Sequence, residues 1–379
     1  MRFFDAHCDT IGKVWERGAD FGGRDRGITP GNASDDQPGN VPGGQPRYHP
    51  GGDDLHVTLP GLRAAGARAQ VFASWAWTER YRDREFEVAM NEVKAVRRLC
   101  EQYSDDLVLA LTGDDISAAC EANEPNARIA VIPSLEGSDA LCGKVDNLAV
   151  FRNAGVRLVT IAWHDSPFCG STYGSGTGLT DLGIELVEAC EDAGILVDLS
   201  HSSDQTFFDV CRVATRPFIA SHSNCRELCP SPRNLTDEMI REIAERGGAV
   251  GITLAPGFLS ADYYRKTKSI YDEFWRAIEE RSASSDEAGR RSSAAEALIP
   301  RPPLDLIVEH IRHAIKVGGE DVVALGGDLD GVDALPQDFA GVEDYPRVVE
   351  LLMAAGFQPE RIEKVCYRNL ARVFRETVG

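Results

Sequence analysis

Phe3-Phe4-Asp5-Ala6-His7-Cys8-Asp9-Thr10 opens the chain with an apolar run that leads directly into a His-x-Asp pair. Residues two apart on an extended strand project to one side, so an imidazole and a carboxylate at this spacing can present ligand atoms to a single cation. Taken alone, the stretch also fits a strand-end histidine that caps a turn and an aspartate that caps the next helix. The rest of the chain decides between these readings, because the pattern of buried strand, polar strand end and helix recurs along it.

Seven further strand signals follow. They are 69–75, 129–135, 156–162, 195–199, 217–220, 249–254 and 321–325, several of them nearly continuous apolar runs, as expected of strands buried on both faces. Helical periodicity falls between them, over 86–100, 145–153, 180–192, 205–214, 236–246, 263–278 and 305–317. Eight strands alternating with helices imply parallel pairing and predict an α/β fold, a (β/α)8 TIM-like barrel. Two more helices, 345–355 and 359–374, are expected to close the C-terminal end. No Gly-x-Gly-x-x-Gly follows the first strand and no Gly-Lys-Ser/Thr loop appears, which disfavours dinucleotide and P-loop folds. We expect a single (β/α)8 domain over 1–379, interrupted by flexible insertions at about 17–54, rich in Gly, Pro, Asp and Asn, and at about 281–301, rich in Ser and charge.

In such a barrel catalytic groups sit where strands end. The first strand ends at His7 and Asp9, the third at Glu136, the fourth at His164, the fifth at His201, the sixth at His222 and the eighth at Gly326-Gly327-Asp328-Leu329-Asp330-Gly331. Four of the eight histidines of the chain are thus at strand termini, a clustering that packing alone does not require. Histidines and carboxylates converging on one mouth suit zinc or a similar divalent ion. Two such ions on the order of 3.5–4 Å apart can clamp an attacking hydroxide and polarise a carbonyl. We assign Glu136 as the bridge, since a bridging ligand needs two oxygens on a fixed backbone, with His7 and Asp9 on one metal and His201 and His222 on the other. His164 reads equally as ligand, substrate donor or loop residue. Asp328 and Asp330 are ambiguous, because both point the same way on an extended segment. Arg233 is either a surface residue or, if its loop folds over the mouth, a bidentate partner for a substrate carboxylate. His49, His56, His310 and His313 sit in loop or helix context and are not expected to be ligands.

Bulk composition narrows the function. The 379 residues carry 40 basic and 60 acidic side chains, a net charge of −20, which argues against nucleic acid or an anionic membrane surface as partner. No signal peptide, membrane-spanning run or lipid-anchor signal is visible, so the cytoplasm is the expected location. Ten scattered cysteines without a Cys-x-x-Cys pair are expected to be reduced thiols, with Cys8 in the core. A homodimer is compatible with the sequence but not read from it.

Asp5-Ala6-His7-Cys8-Asp9, Leu135-Glu136-Gly137, Asp198-Leu199-Ser200-His201, Ser221-His222-Ser223 and Gly326-Gly327-Asp328-Leu329-Asp330-Gly331 together resemble the membrane (renal) dipeptidase family, zinc-dependent dipeptidases of the amidohydrolase superfamily. The resemblance extends to Leu59-Pro60-Gly61-Leu62-Arg63 and to Asn369-Leu370-Ala371-Arg372-Val373-Phe374. It implies a distorted barrel with two zinc ions bridged by Glu136. It further implies that His164 contacts the substrate and stabilises the transition state, that Arg233 binds the substrate's C-terminal carboxylate, and that Asp328 handles the proton near a metal-bridging hydroxide. Family members hydrolyse dipeptides, and many accept a D-residue at the C-terminal position. Two departures bear on substrate range: Cys8 replaces the usual Asn between the first two ligands, and Ile252-Thr253-Leu254-Ala255-Pro256-Gly257 lacks the Tyr often found after the seventh strand. A lactonase or deacetylase of the same superfamily is the alternative, disfavoured by His-x-Asp in place of His-x-His and by Glu in place of a modified lysine. A non-catalytic metal-binding protein would predict missing ligands, and none is missing.

Overall fold

The structure, a computed structural model, describes residues 1–23, 49–50, 54–124 and 126–379. Most of the expected 17–54 insertion lies outside these residues. Nine strands form one parallel sheet: β1 (Phe3–Asp5), β2 (Ala67–Trp75), β3 (Leu107–Leu109), β4 (Ile129–Glu136), β5 (Leu158–Thr160), β6 (Leu196–Asp198), β7 (Ile219–Ala220), β8 (Ala249–Ile252) and β9 (Val323–Leu325). The sheet runs β2-β1-β9-β8-β7-β6-β5-β4-β3 and closes on itself through β2–β4, registered from Ala69–Ala130 to Trp75–Glu136. Eight strands therefore make the ring, and the expected (β/α)8 barrel is the observed one.

The ninth strand, β3, was not anticipated. It pairs with Ile129–Val131 on the edge of β4 that β5 takes over from Ser134 onward. Pro133 falls between these two pairings, with its carbonyl accepting from the Arg157 amide at 3.0 Å on that same edge. A proline cannot donate to a ladder, and a central strand tolerates one only where no partner waits for the N–H. The handover from β3 to β5 is such a place.

Interior packing follows from the apolar runs. Every residue of β4, from Ile129 to Glu136, is buried, and the helices lay apolar faces on the outside of the ring. Ser and Thr at N-cap positions start several helices, as at Thr180, Ser203 and Thr236, each accepting from a backbone amide of the first turn. The two expected C-terminal helices are present as Tyr345–Ala354 and a longer run, Pro359–Glu363 followed by a π turn and Asn369–Thr377. The last of them packs on the first strand, with Phe374 against Phe4 at 5.3 Å between ring centres. All ten cysteines are free and nine are buried, Cys8 among them. Among the described residues no helix is long and apolar enough to cross a membrane.

Residues 281–301, expected to be a flexible insertion, contain a helix, Ser285–Glu296. Ser284 caps it, and Asp286 and Glu287 in the first turn match the partial positive charge of a helix N-terminus. It pairs with helix Ala261–Glu279 to form a hairpin, and its last residue, Glu296, accepts hydrogen bonds from Tyr263 and Tyr271 of that helix at 2.9 and 2.8 Å.

Inside the ring, Gly251 of β8 and Gly326 after β9 both pack against the Ser221 carbonyl so closely that an added Cβ at either would overlap its oxygen. Overpacking of this kind typically costs about 1–3 kcal/mol. Gly251→Ala is expected to lower the unfolding free energy measured in urea by that amount, whereas Gly257→Ala, where a Cβ would meet no atom within 4 Å, is expected to be neutral. Equal effects in equilibrium unfolding would mean that the Ser221 contact is not tight.

Candidate metal centre

The C-terminal ends of the strands gather the polar residues singled out above. Glu136 is the last residue of β4 and is buried. Its Oε1 lies 3.0 Å from His201 Nε2, 3.6 Å from His222 Nε2 and 3.6 Å from His7 Nε2. His7 Nε2 is in turn 3.3 Å from Asp9 Oδ2. Two overlapping sets, His7–Glu136–His222 and His7–Asp9–Asp328, each bring three donor atoms within 4.8 Å of one another. Five separate strand ends thus deliver donors to one point.

The local structure differs in two ways from what strand periodicity alone suggests. First, β1 ends at Asp5, and Asp9 stands at the N-cap position of helix Thr10–Arg17, where its side chain makes no cap bond and turns to His7 instead. Second, Asp328 and Asp330 are not on an extended segment. Their φ angles are 59° and 68°, in the left-handed region that Asp tolerates better than most residues. The turn sends the two side chains to different surroundings. Asp330 accepts from Thr10 Oγ1 at 2.6 Å, Lys13 Nζ at 2.8 Å and the His56 amide at 2.9 Å. Asp328 instead joins His7 and Asp9. Gly331 lies so close to the Asp9 and Asp328 carboxylates that a Cβ there would overlap both. His201 also has a positive φ, 67°, and backbone strain of this sort collects at functional sites.

Two buried aspartates that the sequence did not single out hold the donors in place. Asp5 accepts from the amides of His7 (2.9 Å) and Gly327 (3.1 Å) and from the Tyr345 hydroxyl. Asp198 accepts from the amides of Ser200 (3.0 Å) and Ser221 (2.7 Å) and from the hydroxyls of Thr160 (2.5 Å) and Ser221 (2.6 Å). Ser221 Oγ also lies 2.7 Å from His222 Nδ1. With the hydroxyl donating to Asp198, its oxygen accepts from Nδ1–H, which leaves a lone pair on Nε2 facing Glu136. This is the outer-shell arrangement that orients metal-binding imidazoles.

The electrostatics agree. Burial, with the Arg233 and His7 charges adding to it, holds His201 and His222 well below the usual histidine range, so both are neutral. Burial also opposes charge on His7, but the Glu136 and Asp9 carboxylates outweigh it and raise that imidazole well above its usual value. Burial and then Glu136 push Asp9 up to about 7, and burial, reinforced by Asp9 and Glu136, lifts Asp328 well above the carboxylate range. Both ring nitrogens of His7 are buried and lack a hydrogen-bond partner among the described residues, and His201 Nε2 lies 2.9 Å from His222 Nε2. Crowded carboxylates, converging lone pairs and a buried imidazole without a hydrogen bond fit a divalent cation.

Arg233 is brought to the same region. It is 3% exposed, donates from Nη1 to Ser223 Oγ and from Nη2 to the His222 carbonyl, both at 3.3 Å, and lies 5.1 Å over the Phe258 ring. It is therefore not a surface residue. His164 stands on an aromatic wall, its ring 5.1 Å from Trp275 and 5.9 Å from Trp77. His49, His56, His310 and His313 make other bonds: His49 to Glu16, His56 to the Asp330 amide, His310 to the Leu259 carbonyl and His313 to Asp237. A cavity of about 420 Å³ opens above Asp9, Glu136, His201 and Asp328, and residues of the 261–296 hairpin roof it.

A parallel barrel with a buried histidine and carboxylate cluster at the strand ends defines a metal-dependent hydrolase. The chain belongs to the membrane dipeptidase family, peptidase family M19, whose model matches residues 2–378. That makes it a metallo-dipeptidase by class. An uncharacterised Klebsiella pneumoniae protein from the pqqA 5′ region is 32% identical over 297 residues, covering 76% of this chain and 96% of that one. Dipeptidase 3 of Homo sapiens is 26% identical over 297 residues, 76% of this chain, and the chain spans about half (52%) of that protein. Among solved structures, the metallopeptidase dipeptidase AC superposes with a TM-score of 0.76 at 23% identity, covering 100% of this chain and 99% of that one. A Rhodobacter sphaeroides metallopeptidase liganded with a phosphinate mimic of the dipeptide L-Ala-D-Ala does so at 0.75 and 22%, with coverage of 100% and 99%.

Lys13 and Asp330 form an ion pair with both side chains fully buried, and it ties the first helix to the loop after β9. Removing one partner of such a pair strands the other charge, at about 3–5 kcal/mol. Asp330→Ala is expected to lose that much stability in urea unfolding, and the double variant Lys13→Met/Asp330→Leu to recover part of it. A double variant no more stable than the single would show that the hydrogen bonds to the backbone, not the charge pair, hold the loop.

Proposed function

We propose that this protein hydrolyses dipeptides at a centre of two divalent ions, zinc by preference, shared by Glu136. His7 and Asp9 would hold one ion and His201 and His222 the other. The observation that carries the reading is Glu136 Oε1 within 3.0–3.6 Å of three imidazole nitrogens, with the Asp9–Asp328 pair beside it. Bound there, the ions would supply Lewis acidity to polarise a peptide carbonyl and activate water.

The remaining steps belong to the chain's own residues. Asp328, at the edge of the cluster, takes a proton from the attacking water and returns one to the leaving amine. Arg233 pairs with the free C-terminal carboxylate one residue beyond the scissile bond, and that requirement confines the enzyme to dipeptides. His164 contacts the substrate from the wall and stabilises charge that develops on the carbonyl oxygen. Acceptance of a D-residue at the C-terminal position belongs to the same reading, as in the L-Ala-D-Ala mimic bound by the Rhodobacter sphaeroides relative.

Zinc-loaded protein is expected to contain about two ions per chain and to release amino acids from L-L and L-D dipeptides. Glu136→Ala should lose both metal and activity; full metal retention would exclude the shared carboxylate. Asp328→Asn should lower kcat far more than zinc content, and activity lost only in Asp330→Asn would move the proton role to that residue. Arg233→Met should cost roughly ten- to a hundredfold in kcat/KM for free dipeptides, the worth of a charged hydrogen-bonded pair, and little for dipeptide amides. Equal losses on acid and amide would show that Arg233 only supports its loop.

A further inference from the structure

Four of the five tryptophans of the chain meet above the metal centre. Trp75 ends β2, Trp77 follows it, Trp163 comes from the loop after β5, and Trp275 descends from the roofing helix Ala261–Glu279. Ring centres are 4.9 Å apart for Trp75–Trp163 and Trp77–Trp163, and 5.9 Å for Trp77–Trp275 and Trp163–Trp275, all within aromatic contact. The wall begins at the donors themselves. Trp75 is in register with Glu136, and the Trp163 ring lies 6.0 Å from that of His201. All four line the cavity, and Trp163 and Trp275 keep part of their surface open to it.

We propose that this wall is the side-chain subsite for the N-terminal residue of the substrate, and that the enzyme prefers dipeptides whose N-terminal residue is large and apolar, above all aromatic. The assignment to that residue rests on the dipeptidase reading and on strand order. Arg233 and Phe258 stand on the arc after β7 and β8, while Trp75, Trp77 and Trp163 stand on the arc of β2, β4 and β5, across the ring. A dipeptide with its carboxylate at Arg233 and its scissile carbonyl at Glu136 carries its N-terminal side chain onward to the tryptophans. A benzyl group there would bury several carbons against indole faces, and each extra methylene in an apolar pocket is worth roughly tenfold or more in kcat/KM.

The test compares Phe-Ala, Ala-Ala and Ala-Phe on zinc-loaded full-length protein. The expected order is Phe-Ala over Ala-Ala by about ten- to a hundredfold, with Ala-Phe gaining far less. Trp275→Ala should collapse the Phe-Ala to Ala-Ala ratio, and Trp275→Phe should restore most of it. Independently of turnover, isosteres of Phe-Ala and Ala-Ala in which CH2–NH replaces the amide should perturb tryptophan emission, with the Phe compound binding tighter by a similar factor. Equal kcat/KM and equal binding for the two would overturn the proposal, as would a preference for Ala-Phe. A uniform loss on both substrates in Trp275→Ala would also overturn it, since the wall would then only glue the roof to the rim. If no dipeptide is cleaved yet the Phe isostere binds tighter, the subsite stands and the dipeptidase reading falls; cleavage without discrimination gives the reverse.

Discussion

The Asp198 carboxylate takes four hydrogen bonds, two from backbone amides and two from hydroxyls, drawn from the ends of three adjacent strands. The candidate site depends on it. A buried carboxylate is tolerable only when its acceptor sites are filled, and here the groups that fill them are those that must be held still. The Ser200 amide fixes the turn that carries His201 in its left-handed conformation, and Ser221 relays the contact to His222 Nδ1. Asp5 does the equivalent at the opposite side of the ring, where it joins β1 to the loop bearing Asp328. Two buried aspartates thus set the positions of donors from both halves of the barrel.

How much of this was legible in the sequence follows from the physics of each element. Strands buried on both faces leave continuous apolar runs, so the eight of the ring could be read with little ambiguity. Leu107–Leu109 could not, because three residues between two helices carry no periodicity, and its role is only to share an edge of β4. The helix Ser285–Glu296 was masked by its polar composition, although Ser284 followed by Glu287 is a usable cap signal. His7, Asp9, Glu136, His201 and His222 were legible because strand ends in a barrel point to one place. Asp328 and Asp330 were not separable, because the distinction lies in two left-handed backbone angles that an extended-segment argument misses. The tryptophan wall was invisible for another reason: its members are up to 200 residues apart, and only ring closure through β2–β4 and the fold of the hairpin unite them.

The cavity also has a polarity. Asp9, Asp328 and Glu136 concentrate acidic groups on the β9–β1–β4 side, and Arg233 is buried on the β7 side beside His222 and Ser223. Among the described residues the hydrogen-bond acceptors of Arg233 are Ser223 Oγ and a backbone carbonyl, both neutral. Over distances beyond about 8–10 Å, ordinary salt screens the chain's net charge of −20, and an anionic substrate is judged by the groups it touches. On the proposed reading a dipeptide is oriented by its carboxylate, which pairs with Arg233. On that reading a residue added at the C-terminus would move the carboxylate away from Arg233. On the proposed reading, the limit to two residues follows from the pairing of that carboxylate with Arg233, with no need for a separate device that measures length.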